Sequence, residues 1–163
     1  MSHLAPYAES EELKALILDP TKVPRKDYLV IDVRDTDFEG GNIPHAVNVP
    51  AGQLLDRVHE IIDEYGQVPC VYFHCALSQV RGPKAARIYK ESLHLQGIQT
   101  NQQVKVLRGG FEGWHAKYRK EKQLLENYDP SIWQWAIEDS DPENEQSALE
   151  DNPYLAGIPP PSQ

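Results

Sequence analysis

A short apolar segment runs directly into a cysteine-containing loop and then into a helix over residues 70–84. The composition of residues 70–74 is typical of a buried strand, and Pro69 marks its start. Gly82 and Pro83 suit the first turn of the helix that follows. A strand, a short loop and a helix in immediate succession favour an α/β fold with the loop at the carboxyl end of a strand.

The same alternation recurs along the chain. Strands are predicted over 28–34, 70–74 and 104–107, and helices over 10–18, 52–65, 82–95 and 111–118. Ser10 is expected to cap the first helix. The second helix is expected to present one apolar face formed by Leu54, Leu55, Val58, Ile61 and Ile62. The alternation predicts a central, mostly parallel sheet with helices on both faces.

The 163 residues, 40% of them hydrophobic, predict one compact domain with extensions. No apolar run approaches the ~20 residues of a membrane span, and residues 1–10 lack the pattern of a signal peptide. We therefore expect a soluble protein of the cytoplasm, the nucleus or both, with no membrane partner.

The net charge of −9 is concentrated near the C-terminus, because residues 138–151 hold seven acidic residues and no Lys or Arg. The remainder, about −2, has no basic excess, which argues against a nucleic-acid partner. The acidic run and the proline-rich end predict a disordered tail over 138–163. Residues 121–137, with two tryptophans, are expected to form a packing extension.

The chain contains two cysteines, Cys70 and Cys75, a number that agrees with a reducing compartment. Placed on one strand, they lie roughly 16 Å apart at ~3.3 Å per residue. That separation exceeds the ~7 Å limit for a disulfide. Cysteine and histidine are also too few at ligand spacing for a zinc site, so no metal is expected.

The loop from Cys75 to Arg81 combines a thiol with an anion-binding arrangement. The amino end of the next helix and the Arg81 guanidinium both favour the thiolate form of Cys75. Arg81 presents a planar fork to two oxygens of a bound oxyanion. The Ser78 hydroxyl is expected to donate a hydrogen bond to the sulfur. The backbone amides that bind phosphate are predicted to come from the residues between Cys75 and Arg81, which are Ala76, Leu77, Ser78, Gln79 and Val80.

Four segments resemble the rhodanese-homology domain in order and sequence: 31–34, 39–43, 46–50 and 107–114. The run His74-Cys75-Ala76-Leu77-Ser78-Gln79-Val80-Arg81-Gly82-Pro83 resembles the M-phase-inducer phosphatase branch of that family. The branch also includes small eukaryotic arsenate reductases. The resemblance implies a rhodanese-like catalytic domain over about residues 8–120 and a small stand-alone member of the branch.

Loop length distinguishes the branches of this family. The resemblance implies six loop residues for a sulfurtransferase and seven for a phosphatase or arsenate reductase. Cys75 through Arg81 is seven residues, which leaves room for a tetrahedral oxyanion.

The chain also departs from the mitotic phosphatases. Ala76 and Val80 stand where those enzymes carry acidic loop residues, so the general acid is open among Asp35, Asp37 and Glu39. Val33 stands where they carry a cysteine that protects the nucleophile by forming a disulfide. No such internal redox protection is therefore expected.

Three residues at strand ends are expected to support the loop. Asp32 and Arg34 are predicted to form a structural ion pair beneath it. His74 is predicted to face away from Cys75, because side chains alternate along a strand, and to brace the loop by a hydrogen bond. Arg108 is a further candidate for the rim of the site, Trp114 is expected in the core, and the acidic tail is expected to be a solvated segment.

The sequence therefore predicts a cysteine-dependent phosphatase of the protein-tyrosine or dual-specificity type, with Cys75 and Arg81 as catalytic residues and no cofactor. It would hydrolyse a phosphorylated protein or a small phosphate ester through a phosphocysteine. The main alternative is an arsenate reductase that uses glutathione as co-substrate and glutaredoxin as partner. A thiosulfate-type sulfurtransferase and a non-catalytic rhodanese-like binding domain are two further hypotheses.

Overall fold

The computed structural model describes residues 3–139, so residues 140–163 of the predicted tail lie outside the described residues. The chain divides into a compact unit that ends at Tyr128 and a second that begins at Asp129. The predicted extension, 121–137, spans this division. The sheet and the predicted site belong to the first unit.

Five parallel strands form one sheet in the order β1-β5-β4-β2-β3. Every neighbouring pair in this order is parallel, so β4, which leads into the cysteine loop, is the central strand. This arrangement confirms the predicted α/β sheet. The strands are β1 (Tyr7–Ala8), β2 (Leu29–Asp32), β3 (Val47–Asn48), β4 (Cys70–His74) and β5 (Gln103–Leu107).

Helices cover both faces of the sheet, as predicted. On one face α2 and α3 bury alternate residues of β2, β4 and β5 in a single apolar cluster. On the other face Glu12 of α1 accepts a hydrogen bond from the hydroxyl of Tyr72 on β4. The helices of the first unit are α1 (Ser10–Leu18), α2 (Leu54–Tyr65), α3 (Arg81–Leu95) and α4 (Gly110–Tyr118).

The second unit contains one described helix, α5 (Gln134–Asp139). In the segment before α5, the Asp129 carboxylate accepts hydrogen bonds from the backbone amide and the hydroxyl of Ser131. These bonds stabilise a turn at residues 129–131. The rings of Trp133 and Trp135 stack with centroids 6.3 Å apart.

Two local predictions were wrong, and two short strands were not predicted. Ser10 is the first helical residue rather than a cap, and its hydroxyl bonds the Tyr118 hydroxyl and Lys117 Nζ. Leu55 lies on the exposed side of α2, 67% accessible, because the buried stripe of this helix is formed by Leu54, Val58, Ile61 and Ile62. The two-residue edge strands β1 and β3 fall in segments without a strand prediction.

Within residues 3–139 no helix is long and apolar enough to cross a bilayer. Trp114 is buried in the core as expected, and its indole N–H donates to the Leu124 carbonyl.

Candidate active site

Cys75 follows the last residue of the central strand and lies at the floor of the loop. Its side chain is buried, and the residue is only 3% exposed. The sulfur accepts hydrogen bonds from two backbone amides, those of Ser78 at 3.2 Å and Gly82 at 3.3 Å. Gly82 belongs to the first turn of α3, where amide hydrogens lack partners within the helix. Two donors and the helix dipole therefore favour negative charge on the sulfur.

The donor at Ser78 is the backbone amide, not the predicted hydroxyl. The Ser78 hydroxyl is buried and has no hydrogen-bond partner among the described residues. The residue adopts a left-handed conformation, with φ of 56°, which costs a non-glycine residue about 1 kcal/mol. This conformation turns the amide toward the sulfur.

Three loop carbonyls are held from outside the loop. The Cys75 carbonyl accepts from the Phe111 amide and the Ala76 carbonyl from the Glu112 amide, both at 2.9 Å and both at the start of α4. The Ser78 carbonyl accepts from the Tyr7 hydroxyl at 3.0 Å. Because C=O and N–H point in opposite directions across a trans peptide, the amides that follow these carbonyls turn away from the supports. Those amides face the interior of the loop.

The loop amides form an anion-binding cradle. Within residues 3–139, the backbone N–H groups of Ala76, Leu77, Gln79 and Val80 make no hydrogen bond. Unpartnered amides beside a helix amino terminus stabilise a bound anion. Together with the sulfur below them, they suit an oxyanion that presents several oxygens at once.

His74 lies on the opposite face of β4 from Cys75. Its Nδ1 donates to the Cys75 carbonyl at 2.9 Å, and its Nε2 is 3.5 Å from the Asp32 carboxylate. Burial lowers the pKa of His74, an effect that the nearby Asp32 charge only partly opposes. The neutral ring therefore holds the loop carbonyl in place and carries no charge into the site.

Asp32 and Arg34 form a fully buried pair beneath the loop. Arg34 Nε and Nη2 donate to the Asp32 carboxylate, the shortest contact being 2.7 Å. Nη1 donates to the Asp37 carbonyl, Nη2 also donates to the Gly41 carbonyl, and the Phe111 ring packs over the guanidinium at 4.3 Å. Because Arg34 is buried and donates to the carbonyls of Asp37 and Gly41, it fixes the 35–41 segment.

Arg81, the first residue of α3, is paired with an acidic residue from that segment. Its Nη1 and Nη2 donate to Asp37 Oδ1 at 3.1 Å and Oδ2 at 2.7 Å. The hydrogen bonds raise the pKa of Arg81 and lower that of Asp37. Asp37 is therefore ionised at neutral pH and has no proton to donate in this state. Asp35 and Glu39 are exposed on the same segment, and the general acid stays open among these three carboxylates.

Two residues at the rim differ in how well the sequence revealed them. Arg108, a candidate, is exposed, bonds Glu9 at 2.7 Å and packs over the Tyr7 ring at 4.6 Å. Tyr7 was not predicted to take part, although its hydroxyl supports the loop. Its strand, β1, has only two residues and forms by pairing with β5, so no periodic signal marks it.

Replacing Tyr7 with phenylalanine is expected to lower kcat/KM for an aryl phosphate about fivefold, since one neutral hydrogen bond is worth about 1 kcal/mol. The freed Ser78–Gln79 peptide would lose its orientation, so alkylation of Cys75 at pH 6 should slow as well. Tyr65→Phe, at the far end of α2, serves as the control and should change neither rate. Equal effects of both substitutions would refute a role for the Tyr7 hydroxyl in the loop.

A thiol beneath inward amides, at the end of the central strand of an all-parallel sheet, defines an α/β domain built around a cysteine loop. Residues 9–117 match the rhodanese-like domain family, and the chain belongs to that family.

Its relatives include phosphatases and arsenate reductases. The chain is 32% identical over 135 residues to the dual specificity phosphatase ibp1 of Schizosaccharomyces pombe, covering 74% of this chain and 95% of that protein. A solved structure of Saccharomyces cerevisiae Ygr203w, described as a homolog of single-domain rhodanese and the Cdc25 phosphatase catalytic domain, matches with a TM-score of 0.67 and 28% identity. The match covers 79% of this chain and 91% of Ygr203w. The As-Sb reductase of Leishmania major matches with a TM-score of 0.60 and 26% identity, covering 82% and 98% of the two chains.

Proposed function

We propose that this chain is a cysteine-dependent phosphatase that hydrolyses phosphate monoesters of the tyrosine or dual-specificity type. The observation that carries the proposal is the geometry around Cys75. Its sulfur accepts two amide hydrogen bonds beneath four backbone amides that lack partners within residues 3–139. A sulfur nucleophile beneath a set of backbone N–H donors suits in-line attack on a tetrahedral phosphorus whose oxygens those donors bind.

The reaction proceeds by two displacements. The Cys75 thiolate attacks phosphorus, the P–O bond to the alcohol or phenol breaks, and an acid from the 35–41 segment protonates the leaving oxygen. Water then attacks the phosphocysteine, the S–P bond breaks and the thiolate returns, releasing inorganic phosphate. Arg81 and the amides of Ala76, Leu77, Gln79 and Val80 hold the equatorial oxygens in both steps. No metal or organic cofactor is needed in this scheme.

The test is hydrolysis of para-nitrophenyl phosphate in the presence of EDTA, combined with acid quenching of the enzyme on a ³²P-labelled substrate. We expect turnover without metal and label retained on a peptide that contains Cys75. A metal-free protein that neither turns over nor becomes labelled would reject the phosphatase proposal.

Arsenate reduction is the second candidate, and the cysteine positions favour an external reductant for it. Cys70 lies at the opposite end of β4 from Cys75, and burial raises the pKa of its thiol. Val33, in the buried cluster with Cys75, offers no thiol. Thiols supplied by glutathione and glutaredoxin would therefore have to complete the reduction. Arsenite release from arsenate that requires glutathione would support this activity, and release that is absent with glutathione and glutaredoxin would exclude it.

Sulfur transfer and non-catalytic binding are tested with the same purified protein. Thiocyanate formation from thiosulfate and cyanide would indicate sulfur transfer, which the seven-residue loop disfavours. A Cys75 that iodoacetamide leaves unmodified near pH 6 would indicate a binding domain, since a thiol with ordinary reactivity hardly reacts there. A phosphorylated protein, a small phosphate ester and arsenate are the proposed partners, in the cytoplasm, the nucleus or both.

A further inference from the structure

Asp37 and Arg81 meet across the mouth of the loop, 44 residues apart in the chain. Each terminal nitrogen of the guanidinium donates to one oxygen of the same carboxylate, at 3.1 and 2.7 Å. Both side chains are partly exposed, 33% for Arg81 and 42% for Asp37, so solvent ions reach the pair. A carboxylate already occupies the planar fork that an incoming oxyanion needs.

The main chain of Asp37 is held by a buried residue, whereas its side chain is held by contacts that a rotation breaks. Arg34, which is buried, donates to the Asp37 carbonyl at 3.0 Å and holds this residue beside the loop. The Asp35 amide donates to Asp37 Oδ1 at 2.9 Å, a bond that a rotation of the side chain breaks. A carboxylate displaced from Arg81 therefore stays tethered near the site at a high effective concentration.

We propose that Asp37 sets the affinity that an anion needs in order to bind this site: its carboxylate is a tethered anion that an incoming oxyanion has to displace from Arg81. The inference rests on the proposed function in that Arg81 holds the substrate oxyanion. A singly charged carboxylate such as acetate offers Arg81 nothing that Asp37 does not already supply. A phosphate or arsenate dianion offers more charge and more oxygens to the loop amides. A dianion therefore recovers more of the cost of displacing Asp37 than acetate does.

The test measures how well each anion protects Cys75 from iodoacetamide. A Cys70→Ala background leaves Cys75 as the one reactive thiol, and phosphate, arsenate and acetate are titrated separately. Asp37→Asn is expected to bind phosphate and arsenate about fivefold more tightly, the change expected from losing an ion pair of this exposure. The dissociation constant for acetate should fall by no more than that factor, because a displaced Asp37 carboxylate repels a dianion at least as strongly as a monoanion.

Asp35→Asn is the matched control, because it removes the same charge from the same segment and the Asp35 charge also acts on Arg81 without a hydrogen bond to it. It should change each dissociation constant by less than about twofold. Equal gains for both variants would reduce the effect to net charge and overturn the inference. Unchanged or weaker binding by Asp37→Asn would overturn it as well, because Asp37 would then orient Arg81 for the anion rather than compete.

Two further outcomes separate this inference from the proposed function. Anion protection that responds to Asp37→Asn in a protein without phosphatase turnover would support the tethered competitor and reject the phosphatase. If no anion protects Cys75 in either the parent or Asp37→Asn, both this inference and the proposed function would be overturned. Thermal unfolding in anion-free buffer should place the midpoint of Asp37→Asn no more than about 4 °C below that of the parent, the shift expected from losing a partly exposed ion pair while Arg34 still holds the main chain.

Discussion

Replacing Cys75 with serine is expected to abolish phosphate-ester hydrolysis, with a loss of at least about 10³-fold in kcat. The two amides of Ser78 and Gly82 stabilise negative charge on the atom at position 75. A serine hydroxyl keeps its proton at neutral pH even with such donors, so the variant would have no ionised nucleophile. The measurement is para-nitrophenyl phosphate hydrolysis under saturating substrate with EDTA present.

Cys70→Ser is the matched control for the loss of a thiol. Cys70 is the first residue of β4 and lies at the opposite end of that strand from the loop. The Cys70→Ser variant should therefore keep the activity of the parent within about twofold. Inorganic phosphate should still bind Cys75→Ser, since the cradle amides belong to the backbone. A Cys75→Ser variant that retains more than about one hundredth of the activity would contradict the proposed nucleophile.

Replacing Gly110 with alanine is expected to lower the free energy of unfolding by about 3 kcal/mol. A Cβ at this position would lie 2.5 Å from the Cys75 carbonyl oxygen and 2.4 Å from that of Ala76. Those atoms are backbone and are held by the amides of Phe111 and Glu112, so they cannot move aside without breaking the support of the loop. A φ of 59° adds strain for any residue with a side chain. Urea unfolding measures the loss.

Gly113→Ala tests whether the effect belongs to the contact rather than to the helix. Gly113 lies in the same helix, α4, and a Cβ there meets nothing within 4 Å. Alanine should therefore raise stability by up to about 1 kcal/mol, through helix propensity. The folded fraction of Gly110→Ala should also lose most of its hydrolytic activity, because the displaced carbonyls rotate the Ala76 and Leu77 amides. Wild-type stability of Gly110→Ala would refute the close approach of α4 to the loop.

The elements that could be predicted from the sequence are those whose residues carry their own periodic signal. β2, β4 and β5 are short apolar runs bounded by turns or prolines, and each was placed to within a few residues. The four helices of the first unit were located equally well, because each contains either an apolar stripe or a characteristic start. The edge strands β1 and β3 were not predicted, since two residues show no period and pair only because a neighbouring strand is present.

The candidate site divides in the same way. Cys75, Arg81 and the loop between them are contiguous in the chain, so spacing alone brought them together as candidates. The Ser78 hydroxyl was predicted to bond the sulfur, but the Ser78 backbone amide does so. The left-handed backbone conformation of this residue, with φ of 56°, cannot be predicted from the residue type. Tyr7 is 71 residues from Ser78 in the chain, and Asp37 is 44 residues from Arg81. Over such separations only the packing of the sheet determines which side chains come into contact.

The sequence by itself determined that a thiol would stand at the end of a buried strand, directly before a helix and an arginine, because these are consequences of residue order over a dozen positions. Only the tertiary structure decided what that thiol can do. The start of α4 and Tyr7 hold the loop carbonyls outward and so turn its amides inward. Arg34 fixes the segment that brings Asp37 to Arg81. These hydrogen bonds join residues distant in the chain, and their geometry exists only once the sheet and its helices have packed.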